Sequence, residues 1–411
     1  MSLIVAAVLL AAVLAFAVVR PRGLPEAVAA VPAAALAIAL GLVSWDDAWA
    51  EFRELGPTVG FLAAILLLAH LADEHGVFRY AGRVAARISR GDPPRLLVAV
   101  FVTASLTTAF LSLDATVVLL TPVVLATAAR VGARARPSAF ASAHLANSAS
   151  LLLPVSNLTN LLAFAAGGLG FVAFTGLMAL PWLAVIVAEY LVFRLYFRAD
   201  LRVREQPRPD AGNGPAPAYA LTVLGLTLAG FAVVHPLGVH PAWVAVTGAA
   251  FLAVPHRVPP RTLIREANLP FCAFVLALGV VVLAVQQHGL ESFLAAIVPH
   301  HADLLGLLAV AFLGAVLANL LNNLPATLAL LPVVEARPGL LLAMLIGVNV
   351  GPNLTYVGSL ATLLWRQILH THDAAPHPRD LLRLGVLTVP LALVAGVLAL
   401  WVSLRLAGIA D

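Results

Sequence analysis

Lysine is missing from this chain, and cysteine and charge are scarce. All 24 basic residues among its 411 are arginine, charged residues make up 11%, and the one cysteine, Cys272, lies in an apolar run. Soluble globular domains carry about 25% charged residues, so this chain has too little polar surface to face water on all sides. A P-loop needs a lysine, and disulfides or cysteine-based metal clusters need several thiols. The sequence therefore predicts no ATPase of the P-loop type, no internal disulfide and no cysteine-metal site.

Long hydrophobic runs dominate the sequence. Hydrophobic residues make up 62% of it, and its mean hydropathy is +0.99. Runs near the roughly 20 residues that span a bilayer recur throughout. The first run, residues 3–19, lacks a basic start and a small-residue cleavage site, so we expect a retained span and no signal peptide. The arginine-only, alanine-rich usage suggests a GC-rich bacterial genome. We predict an all-α polytopic protein of a bacterial cytoplasmic membrane.

The arginines predict the orientation, because cytoplasmic loops carry an excess of them. Arg20 and Arg22 place the first loop inside, and tracing about ten spans from there leaves both termini outside. The same rule explains the basic isoelectric point, so no nucleic acid partner is expected. The acidic residues between positions 46 and 54 are expected in an outer loop. Residues 75–95 carry arginines on one helix face and are expected to form an arm on the inner surface.

Four apolar segments are interrupted by polar residues. In the first of them, arginines flank both ends, so a re-entrant hairpin that returns to the inside satisfies the charge rule better than one span. The predicted interrupted segments are a hairpin at 96–130, a discontinuous helix at 138–166, a hairpin at 303–335 and a discontinuous helix at 339–369. The predicted domains are a first repeat at 1–197, a cytoplasmic linker at 198–217 and a second repeat at 218–411.

The two halves of the chain are similar in sequence. Residues 114–124 resemble residues 325–334, and residues 156–162 resemble residues 358–364. In the second pair, an offset of 202 lays Asn147 on Asn349. Because each repeat has an odd number of spans, the repeats are expected to be inverted. Inverted repeats with interrupted helices indicate a transporter site near the bilayer midplane.

Polar side chains gather at the four interruptions. A helix broken in hydrocarbon exposes backbone groups that need partners, and half-helix ends add partial charges of both signs. The predicted substrate-binding residues are Ser112, Asp114, Thr116, Asn147, Ser148, Ser156, Asn157, Asn160, Asn322, Asn323, Thr327, Asn349, Asn353, Thr355, Ser359 and Thr362. The alternative is that these residues only join helices to one another. Their recurrence at matched positions of the two halves favours a binding site.

Two ionisable residues are candidates for proton coupling. Asp114 is the one carboxylate at an interruption, and an acid inside the membrane is a functional hypothesis by default; the alternative is a cap of the second hairpin helix. His144 precedes Asn147 by three residues, and the alternative there is a buried histidine bonded to a backbone carbonyl. Glu189 is expected near a span end, paired with an arginine. No metal and no cofactor are expected.

At these residues the chain resembles the ArsB-type arsenical pump membrane proteins, a branch of the ion transporter superfamily. The strongest stretches are residues 71–78, 114–122, 149–160, 322–327 and 351–365, and the last is the most specific. The resemblance implies an elevator-type secondary carrier that exports arsenite and antimonite. It implies coupling to protons, or drive from a separate cytoplasmic ATPase subunit. A homodimer is one alternative for the assembly.

The chain departs from the family pattern at charged positions. Asn147 and Asn349 stand where the family has aspartate, Asn353 stands where it has lysine, and Leu113 replaces the asparagine before Asp114. An Na⁺- or H⁺-coupled antiporter or an organic-anion carrier is therefore the alternative function. Arsenite near neutral pH is an uncharged trihydroxide, which amides and hydroxyls can bind by hydrogen bonds. A three-thiolate site is excluded because only Cys272 is present. No catalytic motif of an intramembrane enzyme is found, and a passive channel would differ from a carrier by lacking gradient dependence.

Overall fold

The computed structural model describes residues 2–206, 215–234, 241–256, 258–372 and 377–409. Within these ranges the regular secondary structure is helical, and one isolated bridge joins Ala133 to Arg204. Eight of the described helices are long and apolar enough to cross a membrane. The predicted all-α, multi-pass class is confirmed.

The first half contains two long helices with a shorter one between them, an arm, a hairpin, a broken helix and a further long helix. Its helices are α1 (Ser2–Val19), α2 (Ala27–Ala39), α3 (Trp45–Glu74), α4 (Val77–Ser89), α5 (Pro93–Phe110), α6 (Leu113–Ala115), α7 (Thr121–Val131), α8 (Ala135–Ser148), α9 (Leu158–Ala166) and α10 (Phe171–Tyr196). A π-helical turn, Thr116–Leu120, joins α6 to α7, so Leu113–Val131 is one continuous helical segment.

The second half follows a similar order. Its helices are α11 (Ala218–Val234), α12 (Pro241–His256), α13 (Pro260–Glu266), α14 (Leu269–Val285), α15 (Glu291–Ile297), α16 (Leu304–Leu321), α17 (Asn323–Val334), α18 (Pro338–Val350), α19 (Leu360–Thr371) and α20 (Pro378–Leu406). A second π-helical turn, Gln286–Leu290, joins α14 to α15.

The two ends of the first predicted hairpin lie close together. Arg204 Nη2 lies 3.4 Å from Asp92 Oδ1, the residue that caps the start of α5. The same Arg204 is bridged to Ala133, just after α7. The two helices therefore start and finish on one side of the protein, and the chain reverses between them at Leu111 and Ser112.

The second hairpin, α16 and α17, enters from the opposite side. The start of α20 lies beside the first hairpin's base, since Asp380 pairs with Arg136 at 3.0 Å. At the far end of α20, Leu404 contacts Gly339, where a Cβ would lie 3.2 Å from Leu404 Cδ1 and 2.9 Å from Ala302 Cβ. Ala302 precedes α16 and Gly339 follows α17. Because α20 has 29 residues and is about 43 Å long, the two hairpin bases are separated by its length.

Both predicted discontinuous helices are present. After α8 the chain forms two short 3-10 turns, Ala149–Leu151 and Pro154–Ser156, before α9 begins. After α18 it forms one, Gly351–Leu354, before α19 begins. The first break coincides with Pro154 and the second with Pro352, which lack the backbone N–H that a continuous helix needs.

Helix packing is duplicated between the halves. Helix α2 packs against α14, and α12 packs against α3, while α3 and α14 pack against each other and so do α10 and α20. Each hairpin packs against the broken helix that follows it. The repeat boundaries at 197 and 218 stay a prediction, and residues 207–214 of the predicted linker lie outside the described residues.

The outer loop expected between positions 46 and 54 is absent from the structure. The acidic residues between positions 46 and 54 are not a loop, because α3 begins at Trp45 with Ser44 as its cap, accepting from Asp47 N at 3.0 Å. Acids favour the positive end of a helix dipole. Partial burial raises the pKa of Glu335, and the nearby carboxylates of Glu54 and Glu291 raise it further. The start of α3 therefore lies near the base of the second hairpin.

Candidate functional site

The breaks of the two discontinuous helices are joined by buried side-chain amides. Asn349 Nδ2 donates to Asn160 Oδ1 at 2.7 Å. Asn349 Oδ1 accepts from Asn157 Nδ2 at 2.9 Å and from Thr159 Oγ1 at 2.7 Å. All four residues are buried. The amide of Asn349 thus uses both its ends to hold the second broken helix against the start of α9.

The reverse contact exists as well. Asn147 Nδ2 donates to Asn353 Oδ1 at 2.9 Å and to Thr362 Oγ1 at 3.2 Å. The offset of 202 that lays Asn147 on Asn349 also lays Asn160 on Thr362. The pair Asn147–Thr362 therefore corresponds to the pair Asn349–Asn160, with the halves exchanged.

We call this contact region the amide knot. Its members are Asn147, Asn157, Asn160, Asn349, Asn353 and Thr362. Buried polar groups in a low-dielectric interior are stable only when their partners are present. Here the two breaks provide each other's partners.

The hairpin tips form two further polar groups, separate from the amide knot. At the first tip, Ser112 Oγ accepts from Ala115 N at 3.2 Å, and Thr116 Oγ1 lies 2.7 Å from Thr108 Oγ1. At the second tip, Asn322 Oδ1 accepts from Leu324 N at 3.4 Å. The helix cap of the first hairpin is therefore Ser112, and the alternative role of Asp114 as a cap is wrong.

The backbone at the two tips is strained in the same way. Ser112 has φ 149° and ψ 169°, and Asn322 has φ 82° and ψ 155°. This region is adopted almost only by glycine and costs other residues about 1–3 kcal/mol. Such conformations persist where the surroundings enforce them, and they are often found at sites of ligand binding or movement.

Each tip is tied to the break in its own half. Ser156 Oγ donates to Ala109 O at 2.7 Å, and Asn323 N donates to Gly358 O at 2.9 Å. Ser156 and Gly358 are equivalent under the offset of 202. A displacement of either tip would therefore be transmitted to the adjacent break.

Asp114 lies on the wall of a cavity of about 450 Å³. Its carboxylate has no hydrogen bond or ion pair among the residues that the structure describes. The opposite wall comes from the ends of α1 and α3 and the segment around α13, and it carries Arg20, His70, Arg265 and Glu266. Asp114 is thus the one carboxylate that the first hairpin presents to this cavity, while the other acids belong to the facing helices.

The charges of the facing wall are already paired. Arg20 binds Glu26 at 3.0 Å, Arg265 binds Glu266 at 2.8 Å, and His70 Nδ1 lies 3.4 Å from Glu266 Oε2. Within the described ranges, every arginine that lines this cavity therefore has an acidic partner.

A second cavity, of about 540 Å³, reaches the second hairpin tip. It is lined mostly by apolar residues of α1 and α14, together with Asn322, Pro325 and Val357. Leu360, the first residue of α19, lines both cavities. The start of α19 therefore separates the space beside the first tip from the space beside the second.

The predicted site residues thus fall into three groups. The amide knot contains Asn147, Asn157, Asn160, Asn349, Asn353 and Thr362, and Ser148 is bonded to it. The first tip contains Ser112, Asp114 and Thr116, and Ser156 is bonded to it. The second tip contains Asn322, Asn323 and Thr327, and the adjacent break contains Thr355 and Ser359. Among all of them, Asp114 and Asn322 line the two described cavities. The residues of the amide knot are buried and line neither cavity.

Glu189 has other surroundings than the sequence predicted. It is fully buried, and its Oε1 accepts from Ser148 Oγ at 2.6 Å and from Asn353 Nδ2 at 3.2 Å. The expected arginine partner is wrong, because the basic group within 4 Å is His144, whose Nδ1 lies 3.7 Å away. Helix α10 continues to Tyr196, so Glu189 lies two turns inside it. An acid in a long apolar run was the available signal.

His144 also differs from its alternative role. Neither ring nitrogen has a hydrogen-bond partner among the described residues, so the expected bond to a backbone carbonyl is not formed. Its own backbone carbonyl accepts from Asn353 Nδ2 at 3.2 Å. In the part of the chain that the structure describes, no group of three or more His, Cys, Asp or Glu side chains could hold a metal ion.

Comparison with known proteins adds family relationships. The sequence profile of a family described as citrate transporter (CitMHS) matches residues 7–347. An arsenical pump membrane protein of Escherichia coli is 30% identical over 378 residues, 85% of this chain and 87% of that protein. One of Yersinia enterocolitica is 29% identical and covers 96% of this chain and 97% of its own length. A putative one of Bacillus subtilis is 24% identical, covering 93% and 96%.

A solved structure shares the fold. The YdaH transporter of Alcanivorax borkumensis, described as having an unusual topology, superposes with a TM-score of 0.57. The match covers 89% of this chain and 90% of that one at 17% sequence identity. At this identity the likeness concerns the arrangement of helices alone.

Proposed function

Because this chain belongs to the arsenical pump membrane proteins and to the wider citrate transporter family, we propose that it exports arsenite and antimonite as neutral trihydroxides. It is a multi-pass membrane transporter. The observation that carries the proposal is the cavity of about 450 Å³ that ends at Asp114 on the first hairpin tip. A solute entering from this cavity meets an unpaired carboxylate at the point where the hairpin and the broken helix are tied together.

The chemistry of the site suits an uncharged, oxygen-rich solute. A trihydroxide offers hydroxyl donors and acceptors, which a carboxylate, hydroxyls and backbone groups can match. The arginines lining this cavity are paired with acids, so they offer a weak attraction for anions. We propose that the solute binds at the tips, near Ser112, Asp114, Asn322, Thr355 and Ser359, and that the amide knot supports this region from behind.

Proton entry is the proposed driving force, with Asp114 as the coupling group that faces the solute. A carboxylate without a fixed partner can exchange its proton with water in the cavity. An ionised acid inside a membrane protein is costly, so protonation would accompany any step that closes the cavity around it. His144 is proposed as a second group in the same function.

Alternating access would require the hairpins and broken helices to move as a block against α1, α2, α3 and α14. The cavity walls support this division, because Asp114, Leu360 and Leu364 lie on one side and Arg20, His70 and Phe271 on the other. Strained tips at Ser112 and Asn322 support it further, because strained backbone is common in parts that move.

A second candidate is an organic-anion carrier coupled to H⁺ or Na⁺. The description of the matching family as citrate transporters favours it. A dianion needs unpaired cationic groups near the tips, and the arginines at the described cavity are paired. We therefore rank it below the neutral solute.

Transport in everted vesicles from cells expressing the protein tests the proposal. We expect arsenite uptake that depends on a pH gradient, survives removal of ATP, and is absent from vesicles lacking the protein. Uptake that needs ATP without any gradient would instead indicate a partner ATPase. Citrate uptake without arsenite uptake would favour the second candidate. No arsenite flux under any pH or Na⁺ gradient would overturn the proposal.

A further inference from the structure

Glu189 is a buried carboxylate to which the proposed function assigns no role. It lies on α10, yet its Oε1 accepts from Ser148 Oγ at the end of α8 and from Asn353 Nδ2 in the break after α18. One carboxylate oxygen therefore connects three elements, two of which belong to the discontinuous helices.

Glu189 has one basic neighbour within reach. His144 Nδ1 lies 3.7 Å from Glu189 Oε1, and both side chains are completely buried. The distance is too long for a hydrogen bond. Neither nitrogen of His144, nor Glu189 Oε2, has a hydrogen-bond partner among the described residues. Buried polar atoms without partners are rare, and each calls for an explanation, such as strain, a catalytic role or a bound water or ion.

Two further unpartnered atoms lie beside this pair. Asn147 Oδ1 has no partner among the described residues, and its Nδ2 is bonded to Asn353, which is itself bonded to Glu189. Ser105 Oγ is also without a partner there. Helices α5 and α10 run antiparallel, since the start of one and the end of the other lie at the base of the first hairpin. Phe101 packs on Phe193 at 5.2 Å, so Ser105, one turn further along α5, lies level with Glu189.

Among the described residues, the elements packed against α8 carry further ionisable groups: Asp114 on α6, Arg130 near the end of α7, Asp200 and Arg202 in the 3-10 turn after α10, and Arg366 and His370 on α19. The charged residues on the elements packed against α10 lie near helix ends. On α20 they are Arg379, Asp380 and Arg383 in the first two turns and Arg405 in the last turn, on α5 it is Arg95 in the first turn, and on α8 it is Arg136 at the start. Helix α18 and the 3-10 turns of the breaks carry no charged residue. On α10, the helix of Glu189, Arg194 is exposed and donates to Tyr190 Oη at 3.2 Å.

We propose that Glu189 and His144 together bind one proton in each transport cycle, in addition to the proton carried by Asp114. With the carboxylate ionised and the imidazole neutral, the pair holds one unbalanced negative charge. A proton from solution forms an O–H bond at Glu189 Oε2, and the pair is then neutral overall. Release breaks that bond and returns the proton to water on the other side.

Proton binding at this pair would change the contacts of the amide knot. Hydrogen bonds to an ionised acceptor are roughly twice as strong as those to a neutral one. Neutralising Glu189 therefore weakens its bonds to Ser148 and Asn353. Because Asn353 also accepts from Asn147, the change reaches both breaks. The inference rests on the proposed export function for its transport readout, and the existence of the proton site can be tested separately.

The transport test uses purified protein in liposomes, with arsenite as the solute and the membrane potential clamped at zero by valinomycin and equal potassium. One exchanged proton supports about tenfold accumulation per pH unit. Two protons would support about a hundredfold accumulation. We expect the larger ratio in the wild type and about a tenfold lower ratio in Glu189→Gln, with arsenite exchange at equal pH retained.

Two variants control this result. Asp46→Asn removes an exposed carboxylate at the start of α3 and should keep the wild-type ratio. Glu189→Asp retains a carboxylate and should keep the higher stoichiometry, although exchange slows. An unchanged accumulation ratio in Glu189→Gln would overturn the inference. If Glu189→Gln lowers the ratio and Asp114→Asn does not, the new site stands and the proposed role of Asp114 fails.

An infrared measurement tests the site without any solute. The difference spectrum between acidified and neutral wild-type protein should contain the C=O band of a protonated carboxyl that is missing in Glu189→Gln and shifted in His144→Gln. A spectrum that is identical in wild type and Glu189→Gln would overturn the inference even if arsenite is not the solute. If Glu189→Gln does not fold, His144→Gln provides the test instead. It should shift the carboxyl band and lower the arsenite accumulation ratio, and the absence of both changes would overturn the inference.

Discussion

Asn349 and Asn160 are 189 residues apart in sequence, and the amide of one donates to the amide of the other at 2.7 Å. The bond joins the first half-helix of the second repeat to the second half-helix of the first. Its equivalent under the repeat offset joins Asn147 to Thr362 at 3.2 Å. These reciprocal bonds fix how the two interrupted helices lie against each other.

Removing the Asn349 side chain should destabilise the protein strongly. Asn349→Ala removes the partners of Asn160 Oδ1 and Thr159 Oγ1, and one of the two acceptors of Asn157 Nδ2, in a buried place. An unsatisfied buried group costs about 1–3 kcal/mol, so we expect a loss of about 3 kcal/mol or more. Thermal unfolding in detergent measures it. Thr247→Ala, which removes an exposed hydroxyl bonded only within its own helix turn, is the control and should leave the melting temperature unchanged. Equal melting temperatures for both variants would contradict the role of the knot.

Replacing Asn147 and Asn353 by residues of opposite charge should affect stability in a coupled way. Asn147→Asp brings two acceptors together, because Asn353 Oδ1 now faces Asn147 Nδ2 at 2.9 Å. Asn353→Lys brings an ammonium towards Glu189. We expect each single variant to be less stable, and the double variant to recover, with a coupling of about 1–3 kcal/mol. A double-mutant cycle of melting temperatures is the measurement, and additive losses would show that the two positions do not interact.

Ser112 should respond differently to glycine and to alanine. Glycine relieves a backbone conformation that costs about 1–3 kcal/mol. Loss of the Ser112 cap to glycine costs only about a few tenths of a kcal/mol. Ser112→Gly should therefore be more stable by about 1 kcal/mol, and Ser112→Ala less stable by about 1 kcal/mol. Exposed Ser292 lies inside α15 and is the control. There the order should be reversed, with the glycine variant melting at a lower temperature than the alanine variant. If Ser112→Ala proves the more stable variant, the tip is not strained.

Gly347 should tolerate no side chain. A Cβ there would collide with the backbone carbonyl of Ala311 on α16, so the second hairpin must move away from α18. Overpacking costs about 1–3 kcal/mol, and Gly347→Val should lower the melting temperature accordingly. Gly176→Val, also inside a long helix but with open space around its Cβ, is the matched control. Equal losses at the two positions would indicate a general intolerance of helix glycines.

The cavity beside Asp114 should be reachable from the cytoplasm. Val118 is 44% exposed and lines it, and the single native thiol, Cys272, is readily removed. In a Cys272→Ala background, Val118→Cys should react with an impermeant thiol reagent in everted vesicles and resist it in right-side-out ones. Val172→Cys, exposed at the opposite end of α10 from its arginine, should show the reverse preference. Labelling of Val118→Cys from the outside alone would invert the orientation that the arginines predict.

Much of the architecture followed from local sequence. Apolar length, flanking arginines and interruptions at Pro154 and Pro352 located both hairpins and both discontinuous helices, because a chain in hydrocarbon has to keep its backbone hydrogen bonds within helices. The offset of 202 between the halves predicted which residues are equivalent. The reciprocal bonds of Asn147 and Asn349 agree with that equivalence.

Tertiary structure alone decided how the polar residues are shared out. The sequence assigned the polar residues of all four interruptions to substrate binding, yet Asn147 and Asn349 are buried and bond to each other's helices, while Asp114 and Asn322 face cavities. Glu189 was misjudged because the sequence fixes its place in α10 and leaves open which residues of α8 and the second break lie opposite. Such contacts depend on the angle and depth at which helices cross, which side chains far apart in sequence determine together.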